Sequence, residues 1–287
     1  MAKETVPISV VQLMNIENIP LSLCCVSGLA LVVNFIQCPV DCSKCLWESN
    51  ITIRSAKTIE IDYDSINQIV RRYYPDIVFL HGGEPWRYRY TSEFLSSLNK
   101  LDILKGIKMN SIFIYHQHIQ DILKVIELSD VVLIEVISNN IDAENIVGLV
   151  EKIYRDKHVE FVVIYDLCQY KYLEAVINVL KEHGISVPIN ISLIDIDKAR
   201  EVYRSIELLR KKYPLVQTIN ATVSEYSSVL CTKCRLPIVV REGAKVIEIE
   251  LDNECRCKYC GYRVINVSKN ICRARKMYRL PIRIPLM

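Results

Sequence analysis

The sequence predicts an α/β fold, a partial (βα)6 barrel followed by a small cysteine-rich module. Three observations carry this. Short runs rich in Val and Ile alternate with longer runs whose apolar residues recur at three- and four-residue intervals. The alternation breaks near Tyr226. Beyond that point, five of the twelve cysteines fall between Cys231 and Cys260.

The expected strands are Leu29–Ile36, Ile77–Leu80, Ser111–Tyr115, Val131–Ile137, Val159–Tyr165, Val187–Leu193 and Val216–Val223. Each is a short apolar run. The expected helices between them are Tyr63–Tyr74, Thr91–Leu104, His118–Leu128, Ala143–Asp156, Tyr170–His183 and Ile196–Tyr213. In the first of these, Ile66, Ile69 and Val70 share one face. Strict βα alternation implies a parallel sheet with crossover helices. About six such units fall short of the eight that close a TIM barrel, so a TIM-like partial barrel or open curved sheet is expected. In either, a site forms at the carboxyl ends of the strands. The resulting division is an N-terminal extension over 1–28, the barrel over 29–225, a zinc-ribbon-like module over 226–266 and a basic tail over 267–287.

Half of the 287 residues are hydrophobic, enough for a sizeable core. A net charge of +3 is too small to imply a nucleic-acid partner. There are only eight glycines, and two are the adjacent pair Gly82-Gly83. A double glycine in so glycine-poor a chain marks a backbone that something approaches closely. The cysteines cluster as metal sites do, not as a disulfide framework. The opening residues lack the pattern of a signal peptide. Pro20–Ile36 is apolar but short for a membrane span and broken by Ser27-Gly28; two strands joined by a turn fit it better. A cytoplasmic protein with no membrane partner is the expectation.

Cys38, Cys42 and Cys45 form a C-x3-C-x2-C loop directly after an expected strand. Three thiolates in one loop hold three corners of a cubane cluster and leave the fourth iron open to a small molecule. A zinc site, or thiols that are merely close, are the plainer readings. A second loop, His81-Gly82-Gly83-Glu84-Pro85, also follows an expected strand. Its glycines admit a ligand to the backbone, and Glu84 supplies a carboxylate that accepts from an ammonium. The plain alternative is a strand-to-helix turn closed by Glu-Pro.

Taken in order, the two motifs resemble the radical S-adenosylmethionine (SAM) superfamily, over roughly Leu29 to Val223. The resemblance implies a [4Fe-4S] cluster on Cys38, Cys42 and Cys45. SAM would chelate the open iron, and the segment Gly82, Gly83, Glu84 and Pro85 would hold its methionine amine. A reducing electron donor is implied as a partner. No catalytic residue beyond the cluster is indicated.

Cys231-Thr-Lys-Cys234 and Cys257-Lys-Tyr-Cys260-Gly261 are two C-x2-C knuckles across a β-rich stretch. They read as a four-thiolate Zn2+ ribbon, with Cys255 as a substitute for Cys257. A second iron–sulfur cluster or a single iron are the rivals. A radical SAM domain followed by C-x2-C, Ile238-Val-Val-Arg-Glu-Gly243 and C-x-x-C-G resembles the radical SAM component of the AmmeMemoRadiSam system. That group is related to the activating enzymes of glycyl-radical enzymes. The chain departs from the related pattern at three places. Lys44 stands where an aromatic or bulky apolar residue is usual; Glu135-Val136-Ile137 replaces Asp-Leu-Lys and puts Glu135 on the SAM side; and Pro188-Ile-Asn190-Ile lacks an expected His.

A protein or RNA substrate, through protein activation or macromolecule modification, is what the resemblance implies, with a metabolite as the third case. A different class of function also fits: an inactive barrel whose zinc ribbon is a nucleic-acid or protein binding module. Cys24, Cys25, Cys168 and Cys272 read as inert thiols. His116 and His118 follow an expected strand, where a surface role and a site role fit equally. The basic tail reads as a solvated charged segment.

Overall fold

The computed structural model describes residues 6–36, 38–39, 59–88, 90–115, 119–137, 142–165, 170–193, 195–219, 223–265 and 282–284. Its centre is a ten-stranded sheet. Strands β2 (Leu29–Phe35), β4 (Ile77–Gly82), β5 (Leu104–Asn110), β6 (Val131–Val136), β7 (His158–Ile164), β8 (Ile189–Ser192) and β9 (Val216–Thr218) run parallel, in chain order. β1 (Val6–Asn15) lies antiparallel beside β2, and β3 (Ile59–Ile61) and β13 (Ile282–Arg283) pair with β1. Seven parallel strands equal the number expected from the sequence, joined by six crossovers, and are one short of a closed TIM barrel.

The connecting helices are α1 (Tyr63–Tyr73), α2 (Thr91–Ser97), α3 (Ile119–Leu128), α4 (Ala143–Ile153), α5 (Tyr170–Glu182) and α6 (Ala199–Lys212). Their starts follow ordinary capping chemistry. The Asp62 carboxylate accepts from the Ser65 amide at 2.7 Å, and Asp142 does the same for Glu144 at 3.2 Å. α1 ends where Tyr74 turns left-handed, at φ 47°. None of the helices among the described residues is long and apolar enough to cross a membrane.

Three expectations fail locally. Ser111–Tyr115 is a 3-10 turn; the strand is the preceding segment Leu104–Asn110, and α2 ends at Ser97. Lys105, Gly106 and Lys108 disguise that strand as the end of a helix. Pro20–Ile36 holds one strand, not two, because residues 20–28 form a series of turns. Part of the N-terminal extension is itself the long strand β1, and part of the tail pairs with it.

The register explains how the sheet is used. It aligns Asn34 with His81, Lys108 with Leu133, Asn110 with Glu135, Leu133 with Glu160, and Asn190 with Gln217. These positions share one face, since side chains alternate along a strand. The opposite face carries Val33, Leu80, Ile107, Ile134 and Phe161, which join helix residues such as Val125, Val150 and Ile177 in one core. The polar face is buried as well: Asn34, His81, Lys108, Glu135, Glu160, Asn190 and Gln217 are all at most 3 % exposed. Buried polar groups need partners, and they find them in two tiers, one at each end of the strands.

After α6, the short helix α7 (Ser224–Ser227) leads into a separate antiparallel sheet. It contains β10 (Val229–Leu230), β11 (Pro237–Glu242) and β12 (Lys245–Ile249). Glu242 pairs with Lys245, so Gly243-Ala244 is a two-residue hairpin turn, with Gly243 at φ 62°.

Candidate active site and thiolate cluster

The carboxyl ends of β2 and β4 meet through the double glycine. The Gly83 amide donates to the Phe35 carbonyl at 2.9 Å. A Cβ on Gly82 would lie 2.4 Å from that same oxygen, and Gly82 sits at φ +85°. A Cβ on Gly83 would lie 2.6 Å from the Ile36 carbonyl and 3.1 Å from the Cys38 nitrogen. The close approach expected at Gly82-Gly83 is therefore made by the chain itself, by the segment that leads into the cysteine loop. Tyr88 reinforces it, its hydroxyl donating to the Ile36 carbonyl at 2.6 Å. Cys38 is half-buried beside this turn. Cys42, Cys45 and Lys44 lie outside the described residues, as do His116, His118, Cys168 and Cys272.

Glu84 is fully buried, and both of its oxygens are engaged within the protein. Oε1 accepts from the Lys108 ammonium at 2.8 Å; Oε2 accepts from Trp86 Nε1 at 2.9 Å and from the Asn110 amide at 3.1 Å. The ammonium that meets Glu84 is thus an internal one. Lys108 also reaches Glu135 Oε2 at 3.1 Å, and Asn110 Nδ2 donates to that same oxygen at 3.4 Å. Pro85 opens the 3-10 turn after Glu84, and its carbonyl accepts from the Thr91 hydroxyl. Burial opposes a charge on Lys108, yet Glu135 and Glu84 outweigh it and hold its pKa well above the usual lysine range. His81 is held neutral, first by burial and then by Lys108. Its Nδ1 lies 3.1 Å from Asn34 Oδ1; Asn34 Nδ2 donates to Gln12, so the proton of this pair sits on His81 Nδ1. A cavity of about 450 Å³ opens beside the turn, between Trp86, Tyr88, Lys124 and Asp121, and is large enough for a small molecule.

The opposite tier closes the amino ends of the strands. Glu160 accepts from the Ser22 amide at 2.6 Å, the Ser22 hydroxyl at 2.8 Å, the Leu23 and Cys24 amides, His158 Nε2 at 2.7 Å and Asn190 Nδ2 at 2.8 Å. Asn190, in the segment that lacks the histidine of the related pattern, belongs to this tier and not to the mouth.

In the ribbon, Cys231, Cys234, Cys257 and Cys260 bring their four Sγ atoms within 4.8 Å of one another. Cys231 and Cys260 are 3.7 Å apart, as are Cys234 and Cys257. A tetrahedral thiolate ion with bonds of about 2.3 Å puts its sulfurs about 3.8 Å apart, so the donor set fits a single ion. The two knuckles repeat one backbone design. The Arg235 amide returns to the Cys231 carbonyl, and the Gly261 amide to the Cys257 carbonyl. Arg235 and Gly261 both have positive φ, 62° and 69°. The Tyr262 amide helps lower Cys260 to about 7, while burial pushes Cys231 up to about 12. Cys255 stands outside this quartet and is disulfide-bonded.

No protein-family model matches the chain, and no curated protein is significantly similar to it. Among solved structures, it is similar to the crystal structure of Streptococcus suis SuiB bound to precursor peptide SuiA, at 15% identity and a TM-score of 0.47. The match covers 70% of this chain and spans half the length of that one.

Lys108, Asn110, Trp86 and Tyr88 do not stand out in the sequence. The available signal was the alternation of Lys108 and Asn110 with Ile107 and Met109, the period-two pattern of a strand with one polar face.

Proposed function

We propose that this chain is a radical SAM enzyme with a single-ion zinc ribbon at its C-terminal side. The observation that carries the reading is the approach of Gly83 to Cys38. It joins the two motifs, far apart in sequence, into one loop pair at the carboxyl ends of the strands, where α/β proteins place their sites. In this reading Cys38, Cys42 and Cys45 hold a [4Fe-4S] cluster. With a reducing electron donor, the bound cluster and SAM would supply radical chemistry directed at a C–H bond of the substrate.

The protein's share is binding and exclusion of water. The backbone of Gly82-Gly83 meets the methionine amine, since the Glu84 carboxylate is engaged by Lys108, Trp86 and Asn110. Glu135, on the same polar face as Asn110, lies on the SAM side. The Glu160 tier closes the far end of the polar face. The ribbon ion is structural, and a protein or RNA is the substrate class that the resemblance to activating enzymes favours.

Electron paramagnetic resonance tests this on anaerobically reconstituted, reduced protein. A [4Fe-4S]⁺ signal that changes when SAM is added supports the enzyme. A protein that takes up no such cluster, or whose cluster ignores SAM, sinks it.

A further inference from the structure

We propose that the joint between barrel and ribbon is a binding site for one buried water molecule, which bridges Glu17, Gln217 and Arg241. The site ties the ribbon to the turn after β1 and to β9. The inference is independent of the radical SAM reading. It gives Arg241, the arginine of the 238–243 segment, a partner beyond the Ser22 carbonyl.

Each of the three side chains arrives with one polar atom engaged and one not. Glu17, in the 3-10 turn Ile16–Asn18, accepts from the Ser27 amide at 2.6 Å through Oε1, and its Oε2 has no partner among the described residues. Gln217 donates from Nε2 to Ser22 Oγ at 3.0 Å and to Asn190 Oδ1 at 2.6 Å, and its Oε1 has none. Arg241 donates from Nη2 to the Ser22 carbonyl at 2.7 Å, and its Nη1 has none. All three atoms are shielded from bulk solvent, and all three residues line one cavity. Gln217 and Arg241 are only 1 % and 6 % exposed. Folded proteins rarely leave buried polar atoms unpaired, least of all three at one place.

Size and chemistry select the ligand. The cavity holds about 20 Å³. A water needs roughly 10–15 Å³ of such space, so a single water fits and a larger molecule does not. Arg241 Nη1 is a donor, whereas ionised Glu17 Oε2 and Gln217 Oε1 are acceptors. Water accepts one hydrogen bond and donates two, which answers all three atoms. A cation would suit the two acceptors but face the guanidinium; an anion would suit the guanidinium but face the carboxylate. The Ser22 and Ser227 hydroxyls in the same wall already have partners. Because the three residues come from three separate elements, the water leaves only when those elements part, and its residence time reports how often the ribbon lifts from the barrel.

The test is a crystal structure of the full chain, loaded with its metals, at a resolution that shows ordered water. One water should lie within hydrogen-bond distance of Glu17 Oε2, Gln217 Oε1 and Arg241 Nη1. Oxygen-17 relaxation dispersion in solution then counts the waters held too long to be surface-bound. The double variant Glu17→Met/Gln217→Met leaves only one of the three partners, fewer than a buried water needs, and should hold one long-lived water fewer than the parent. An unchanged count in the folded double variant overturns the proposal. So does a parent structure with no water there, with Arg241 Nη1 bonded directly to Glu17 or Gln217, or with an ion identified at the site by anomalous scattering. The parent structure decides the matter alone if the double variant fails to fold.

Discussion

Gly83 lies so close to Ile36, two residues before Cys38, that the smallest side chain would not fit between them. An added methyl would lie 3.1 Å from the Cys38 nitrogen and 2.6 Å from the Ile36 carbonyl. Backbone cannot give way as the end of a flexible side chain can. Gly83→Ala should therefore cost about 2 kcal/mol of stability and displace the cysteine loop. Iron incorporation should fall in parallel with the melting temperature. Full iron loading in Gly83→Ala would show that the two loops do not depend on each other.

The ribbon quartet predicts one ion per chain beyond any iron of the cysteine loop. Its 3.7 Å sulfur spacings suit a single tetrahedral centre. Cys231→Ser or Cys260→Ser should lose that ion by elemental analysis. Cys255→Ser should keep it, because Cys255 lies outside the quartet. Cobalt substitution provides the geometric check: intense visible absorption marks a tetrahedral thiolate site, and weak absorption would exclude it.

Much of this was legible in residue order. The βα alternation follows from local periodicity, and both cysteine knuckles follow from spacing. Gly261 announced its turn, but Arg235 adopts the same positive φ and no local rule picks it out. Lys108 was invisible for a different reason. Its burial is compensated by Glu84 and Glu135, which approach it only when β4, β5 and β6 lie side by side. A lysine in a short run reads as surface until its partners are known. The same holds for Glu160, whose donors come from Ser22, Leu23, Cys24, His158 and Asn190.

Glu160 gives a pH prediction. Burial alone would raise its pKa, but His158 and the Ser22 and Leu23 amides outweigh burial and hold it below 4.5. A depressed carboxyl pKa contributes stability that is complete above the unfolded value and is lost as pH falls through the folded one. The wild type should therefore lose stability below about pH 4.5. Glu160→Gln should cost about 3 kcal/mol at neutral pH, since an amide turns a donor toward donors. The variant should also show a shallower loss on acidification. Parallel acid curves for the two proteins would remove Glu160 from the account.

Arg241 decides whether ribbon and barrel unfold together. It lies on β11, is buried, and donates from Nη2 to the Ser22 carbonyl at 2.7 Å. Ser22 in turn binds Glu160 and Gln217, so one side chain links the ribbon to the tier that closes the barrel. Arg235 and Arg210 make further ties between the ribbon side and α6, but these run to exposed or half-buried carbonyls. Arg241→Met would leave the Ser22 carbonyl without this donor, at a cost of about 2 kcal/mol. The clearer consequence is in cooperativity. Trp86 packs against Phe113 beside the mouth, so its fluorescence follows the barrel, while thiol reactivity of the quartet follows the ribbon. In the wild type the two signals should change at one denaturant concentration. In Arg241→Met the ribbon thiols should react first. Coincident transitions in both proteins would place the coupling elsewhere, and the arginine contacts to α6 would then be the link to remove.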